Sequence, residues 1–491
     1  MSLEYKDLAS IQETRQLISK AKTAQLELAK KSQEEIDTIV KVLSKAAYSN
    51  REKLAKMACE ETGFGKWEDK IIKNAFASKT VTEAMDGMQT IGIINEDKEK
   101  KVTEVAVPKG VIAGLVPSTN PTSTVIYKAL ISLKTANSIV FSPHPSAKKS
   151  IQETVRIMVE AGKEVGLPDG AISVIDNITM DGTNELMTNN DTNLILATGG
   201  SAMVKAAYSS GTPAIGVGPG NGPAFIEKSA NVSLAVKQII ESKTFDYGTV
   251  CASEQSVIVE KNNKDKVVNE LKKQGAYFLP KEDASKLEKY ILRPDGRMNP
   301  AIVGKSPQHI ADLAGIKVPT TAKVLIAEES RVGLHAPYSR EKLGTILAFY
   351  TVDSWQDALK LSIEILNQEG AGHTMGLHSY DEAIIKEFSL HAPVSRLLIN
   401  TSATLGGIGA TTNIFPALTL GCGSVGGSST SDNIGPANLM DIRRVAWGVR
   451  ELDDIKREEN IVTNNKLDKE FNFDENQLLD LLVEKVLEKL K

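Results

Sequence analysis

The chain has 491 residues, 41% of them hydrophobic and 5% aromatic, with 62 acidic against 58 basic side chains and a net charge of −4. At ~150 residues per module the length predicts about three modules, and the composition excludes a disordered or disulfide-bound chain. So even a charge balance leaves no electrostatic footprint for nucleic acid or an anionic membrane.

Three cysteines, Cys59, Cys251 and Cys422, are too few and too scattered for a disulfide framework, and they imply a reducing compartment. The opening "MSLEYKDLASIQETRQ" carries acids where a secretory signal needs a basic end and an apolar run. No stretch approaches the ~18 apolar residues of a membrane span. The expected location is the cytoplasm, with no metal site.

Residues 3 to 88 read as helices: "QEEIDTIVKVLSKAAY" sets apolar residues three and four apart, with Lys and Glu over the rest. Next, "TIGIINEDKEKKVTEVAVP" reads as two short strands around the charged tip Glu96 to Lys101, a hairpin suited to reach solvent or another subunit. From Gly110 the texture alternates between strand and helix. The strand candidates are "VIAGLV" (111–116), "SIVF" (138–141), "AISVI" (171–175), "NLILA" (193–197) and "AIGVG" (214–218). Helical stretches such as "SAKKSIQETVRIMVEAGKEVG" lie between them, which predicts a mostly parallel sheet covered on both faces.

A second α/β series starts after Cys251 with "SVIVE", a strand near Ile302, "KVLIAE", "TILAFY", a strand after His373 and "RLLIN". Cys251 therefore falls at the seam between two α/β layers, where small-molecule sites are favoured. A glycine-rich segment follows Gly406, and "NLMDIRRVAWGVREL" is placed to add a strand to the hairpin. The end is a polar linker and "DENQLLDLLVEKVLEKLK". There Asp474 and Gln477 suit a capping box, and Leu478, Leu479, Leu482, Val483, Val486, Leu487 and Leu490 share one half of the helical wheel.

Three places carry candidate chemistry. Cys251, in "SKTFDYGTVCASEQSVIVE", follows an expected helix end among small residues; by spacing it is either a packed small side chain or a nucleophile. Asn120, in "VPSTNPTSTVIYKA", stands at a strand-to-helix turn before Pro121, as a turn former or as an amide donor to an oxyanion. Gly199 and Gly200, in "LATGGSAMVKAAYSSG", put bare amides at a helix start, either a tight turn or a phosphate cradle.

These segments, with "FSPHPSAKKS", "SREKLGTILAFY", "GHT" and "LGCGSVGG", resemble the CoA-acylating aldehyde dehydrogenases. The likeness is to the aldehyde half of bifunctional aldehyde–alcohol dehydrogenases and to the ethanolamine- and propanediol-utilisation enzymes, and it runs from about residue 10 to 450. It implies two Rossmann-type α/β domains and a protruding β-hairpin that serves oligomerisation. The expected division is 1–88 for N-terminal helices of the cofactor domain, 89–107 for the hairpin and 108–241 for the NAD-binding domain. The catalytic domain is 242–430, the return strand 431–452, the linker 453–473 and the amphipathic helix 474–491.

The same resemblance implies that Cys251 is the nucleophile and that Asn120, with the Cys251 backbone N–H, holds the oxyanion. His144, Thr198, Gly199, Gly200, Ser201 and Glu341 would contact the cofactor, with Glu341 on the nicotinamide ribose, and His373 is a candidate helper in deprotonating coenzyme A. The chain reads EKLGT where the family more often reads EKLSP, which leaves Glu341 in place.

Hydrolytic relatives activate water with a glutamate in an "ELGG"-like stretch, and the matching "GVGPGN" here has no carboxylate. The expected reaction is therefore aldehyde + CoA + NAD⁺ to acyl-CoA + NADH, reversibly, on a short-chain aldehyde such as acetaldehyde or propionaldehyde. NAD is expected, and NADP is left open because no acid stands near "HPSAK". A homodimer or larger homo-oligomer is expected, and residues 474–491 resemble peptides that direct such enzymes to bacterial microcompartment shell proteins. The alternatives are a hydrolytic dehydrogenase giving free acid and a non-catalytic assembly component.

Overall fold

The computed structural model describes residues 3–459 and 475–489 of the chain. Helix Gln33–Ser49 shows why the first ninety residues are helical. Ser32 and Glu35 close a reciprocal capping box, and Ile36, Ile39, Val40 and Leu43 form one buried face.

Fifteen strands among the described residues make three sheets. In chain order they are β1 (Gly92–Asp97), β2 (Val102–Pro108), β3 (Val111–Val116), β4 (Ser138–Pro143) and β5 (Ile172–Val174). Then come β6 (Thr192–Thr198), β7 (Ala214–Val217), β8 (Pro223–Ile226), β9 (Ser256–Glu260) and β10 (Ala276–Phe278). The last five are β11 (Val324–Glu328), β12 (Ile346–Val352), β13 (Gly372–His378), β14 (Val394–Ile399) and β15 (Met440–Ala446).

The first α/β sheet has the order β5-β4-β3-β6-β7, with parallel pairs throughout. Its central strand β3 is buried along its whole length, as an apolar run covered by helices on both faces must be. The order reverses between β3 and β6, so a crevice opens beyond their carboxyl ends. The turns carrying Asn120 and Gly199–Gly200 follow those two strands. Helix Pro121–Lys134 is buried over its entire length, and its Lys128 donates to the carbonyls of Leu115 (2.8 Å) and Leu196 (2.7 Å), one on each strand.

The second α/β sheet has the order β10-β11-β12-β9-β8-β13-β14, again parallel. Cys251 comes just before β9, Glu341 just before β12, and His373 opens β13. The amino ends of this sheet thus meet the carboxyl ends of the first. Two expectations need correction. No strand forms near Ile302; Pro300 starts a short 3-10 turn, Pro300–Ile302. The sheet instead takes β10, only three residues long, and β8, which lies upstream of residue 242. Both are too short to show periodicity.

The chain divides into two compact units, Met1–Gly92 with Ala106–Ile442, and Ile93–Val105 with Arg443–Lys491. The third sheet has the order β1-β2-β15, so the "MDIRRVA" segment does add a strand to the hairpin. Within the second unit Arg444 pairs with Glu104 at 3.2 Å. The expected linker begins instead as a short helix, Leu452–Glu458, whose first turn is acidic and last turn basic. Helix Glu475–Lys489 is present; Asp474, Leu490 and Lys491, which the sequence assigns to it, lie outside the described residues. Among the described residues no helix is long and apolar enough to cross a membrane.

Candidate active site

A cavity of about 1350 Å³ lies between the two α/β sheets, and Asn120, His144, Thr198, Gly199, Gly200, Cys251 and Glu341 all line it. Sequence-distant candidates are thus gathered in one place. His373 is not on its wall.

Cys251 owes its position to a strained turn. Helix Val232–Thr244 ends, and Asp246 and Tyr247 both take left-handed backbone conformations, with φ of 50° and 51°. Such residues cost about 1–3 kcal/mol each and need outside support. Asp246 supplies it, because its buried carboxylate is gripped on every side. Oδ1 accepts the Lys66 N–H at 2.7 Å, and Oδ2 accepts Lys70 Nζ at 2.8 Å, Lys73 Nζ at 2.5 Å and the Thr249 hydroxyl at 2.7 Å. Burial works against its ionisation, but Lys70 and Lys73 outweigh it and hold the carboxyl below its ordinary value. The helix Trp67–Ala75, which bears both lysines, runs on into a π-helical stretch, Phe76–Thr80.

The half-buried Cys251 thiol is pushed up to about 12, first by burial and then by the charges of Glu341 and Cys422. Its small neighbours therefore do not by themselves make a thiolate. Arg396 and the residue's own N–H work in the other direction. Arg396 is buried on β14 and ties two segments together, donating to the carbonyls of His373 (3.1 Å) and Gly421 (2.6 Å).

Asn120 stands just before helix Pro121–Lys134, with Pro121 at the first helical position, and its side chain makes no capping hydrogen bond. Its Oδ1 accepts Lys73 Nζ at 2.6 Å, and its Nδ2 donates to the Thr249 carbonyl at 3.2 Å. Glu341 accepts the Gly220 N–H at 2.9 Å, and its carboxyl is raised to about 8 by burial and by Glu369. His373 is fully buried: Nδ1 contacts the Thr374 hydroxyl at 3.0 Å, and Nε2 has no partner. Burial and Arg396 lower it to about 3, so it is a neutral imidazole.

The residues fit a dinucleotide. Helix Ser201–Ser209 opens directly after β6, and a helix start leaves its first N–H groups free. A Cβ at Gly200 or at Gly218 would meet nothing within 4 Å, so bare backbone faces open cavity. The sequence near His144 has no acid, yet one arrives from a distant helix. Glu61 accepts the N–H of Lys149 and that of Ser150, each at 2.7 Å.

Sequence reasoning did not find Lys73, Asp246, Glu61 or Arg396. An arginine inside the apolar "VSRLLI" strand was a local signal for the last of these; the others pair across more than eighty residues.

The sequence profile described as the Aldehyde dehydrogenase family matches residues 6–333. Aldehyde-alcohol dehydrogenase 2 of Entamoeba histolytica is 44% identical over 88% of this chain but only 51% of its own length, so the chain spans about half of that relative. A crystal structure of a probable aldehyde dehydrogenase from Listeria monocytogenes superposes with a TM-score of 0.91 at 67% identity, covering 92% of this chain and 99% of that one. An acetylating aldehyde dehydrogenase from Geobacillus thermoglucosidasius gives 0.90 at 53% identity, with 91% and 98% covered.

Proposed function

The chain belongs to the aldehyde dehydrogenase family, and we propose that it is an acylating, NAD-dependent member that interconverts a short-chain aldehyde and its acyl-CoA through a thioester on Cys251. One observation carries the choice of thiol over water. The turn from β7 to β8 passes directly behind the nucleophile: a Cβ on Gly220 would fall 1.8 Å from the Cys251 carbonyl oxygen. The whole segment from Gly216 to Asn221 carries no carboxylate, so the water-activating base of hydrolytic relatives has no counterpart there.

Near neutral pH Glu341, with its carboxyl raised to about 8, is largely protonated, which relieves its repulsion of a Cys251 thiolate. The thiolate adds to the aldehyde carbonyl, and the oxyanion is received by Asn120 Nδ2 and the Cys251 N–H. When bound, the nicotinamide cofactor supplies the hydride acceptor. Gly199, Gly200 and the Ser201 backbone would hold its pyrophosphate, with His144, Thr198 and Glu341 along its length. The Glu61 carboxylate beside the His144 turn supports NAD over NADP. The thiolate of coenzyme A then adds to the Cys251 thioester, the same donors receive a second oxyanion, and Cys251 leaves as thiolate. One thioester replaces another, so the sequence runs in both directions.

The proton of coenzyme A is not assigned to His373, whose basicity is too low for a standing base. Assembly as a homo-oligomer through the β1-β2-β15 sheet, and docking of residues 474–491 on microcompartment shell proteins, belong to the same proposal. Exposed Trp447 and Val449 on the segment after β15 support the first.

Glu341 favours a second reading, because the ionised fraction of this carboxyl, which grows as pH rises towards 8, shares a wall with Cys251 and can activate water. Initial rates and products with coenzyme A present and absent separate the two. Acyl-CoA as product and little turnover without coenzyme A support acyl transfer. Free acid at equal rates with and without it supports hydrolysis.

A further inference from the structure

Lys73 makes three hydrogen bonds with the three protons its ammonium owns. They go to Asn120 Oδ1 at 2.6 Å, Asp246 Oδ2 at 2.5 Å and Thr249 Oγ1 at 3.0 Å. The side chain is 3% exposed, so water does not compete for them. A primary amide is nearly symmetric in shape, and what decides which end faces the substrate is the partner behind it. An ammonium only donates. It therefore forces Oδ1 of Asn120 inward and leaves Nδ2 on the cavity side, where its bonds to the Thr249 carbonyl and the Thr119 hydroxyl are long, both 3.2 Å. The cation also polarises the amide and strengthens its N–H donors.

We propose that Lys73 is a positioning residue for the oxyanion step, fixing and polarising the Asn120 amide that receives the negative oxygen. The inference rests on the acyl-transfer reading of the site. Neutralising Asp246 does not account for Lys73, because Lys70 already pairs with that carboxylate at 2.8 Å, and the neighbouring Asp69 has Lys66 at 3.7 Å. The second buried lysine leaves a positive charge over, and the Asn120 oxygen is where it is directed.

Acylation of Cys251 by acyl-CoA, read by intact mass without any nicotinamide present, isolates this step. The thiolate adds to the thioester carbonyl, the bond to the CoA sulfur breaks, and CoA leaves as thiolate, taking up the proton the cysteine released. Lys73→Met leaves Lys70 and Asp246 as a neutral pair; should it fail to fold, Lys73→Gln carries the same test. The expected result is a saturating acylation rate lowered about tenfold or more with an unchanged half-saturating acyl-CoA concentration. Asn120→Ala is expected to lose about a hundredfold, and adding the Lys73 change to it is expected to lose nothing further. Wild-type rates in the Lys73 variants, or losses that multiply in the double variant, overturn the proposal. Wild-type protein that gains no acyl mass overturns the acyl-transfer reading itself.

Discussion

A half-buried carboxyl on the cavity wall that Cys251 also lines makes stability depend on pH in a calculable direction. Glu341 titrates near 4.5 in the unfolded chain and is raised to about 8 in the folded one. Between those values the folded chain keeps a proton that the unfolded chain has lost, so stability falls as pH rises through that window. Glu341→Gln removes the titration and still offers a carbonyl to the Gly220 N–H. The variant should therefore gain stability over wild type on going from pH 5 to pH 8, by about 3–4 kcal/mol. Thermal melts of both proteins at the two pH values check it; an equal difference at both contradicts the raised carboxyl. At this scale the sequence was informative only where chemistry is carried by one residue type. Cys251 and Asn120 could be named from the residues and Glu341 only through the resemblance, and the cavity brings them together. Lys73 could not, since nothing local distinguishes it from the surface lysines around it.

Helix Trp67–Ala75 and the cysteine turn act as one element, although 173 residues separate Lys73 from Asp246. Gly65 lies just ahead of that helix with φ of 76°, and a Cβ there would fall 1.8 Å from Asp246 Oδ1. Gly65→Ala combines left-handed strain with displacement of the carboxylate that supports the turn. It should cost about 2 kcal/mol or more and slow Cys251 acylation, as measured by melting temperature and by the mass assay. A variant that melts and acylates like wild type removes the hub role of Asp246. Legibility at this scale followed length and burial. The long apolar strands on both sides of Cys251 were readable, because a strand covered on both faces is apolar throughout. Strands β8 and β10 have four and three residues and were not, while the apolar triplet after Pro300 imitated one.

Across the whole chain, the residues that line the cavity lie in one unit and the terminal helix Glu475–Lys489 in the other. Leu479, Leu482, Val483, Val486 and Leu487 are all more than half exposed, an apolar set with no partner within the described residues. Removing residues 474–491 should leave turnover within about twofold of wild type and abolish co-purification with shell proteins. Loss of turnover or of the oligomer would make the helix an internal brace instead. The organisation of the chain into two parallel sheets was legible because strand and helix alternate in the sequence. How the sheets meet was not, since it depends on contacts such as the Gly220 approach to Cys251.

The most direct measurement is mass spectrometry of Cys251 after incubation with aldehyde and NAD⁺, then after addition of coenzyme A. The account predicts one acyl group on that sulfur, lost on addition with acyl-CoA appearing in equal amount. An unmodified Cys251, or free acid released without waiting for coenzyme A, would contradict it.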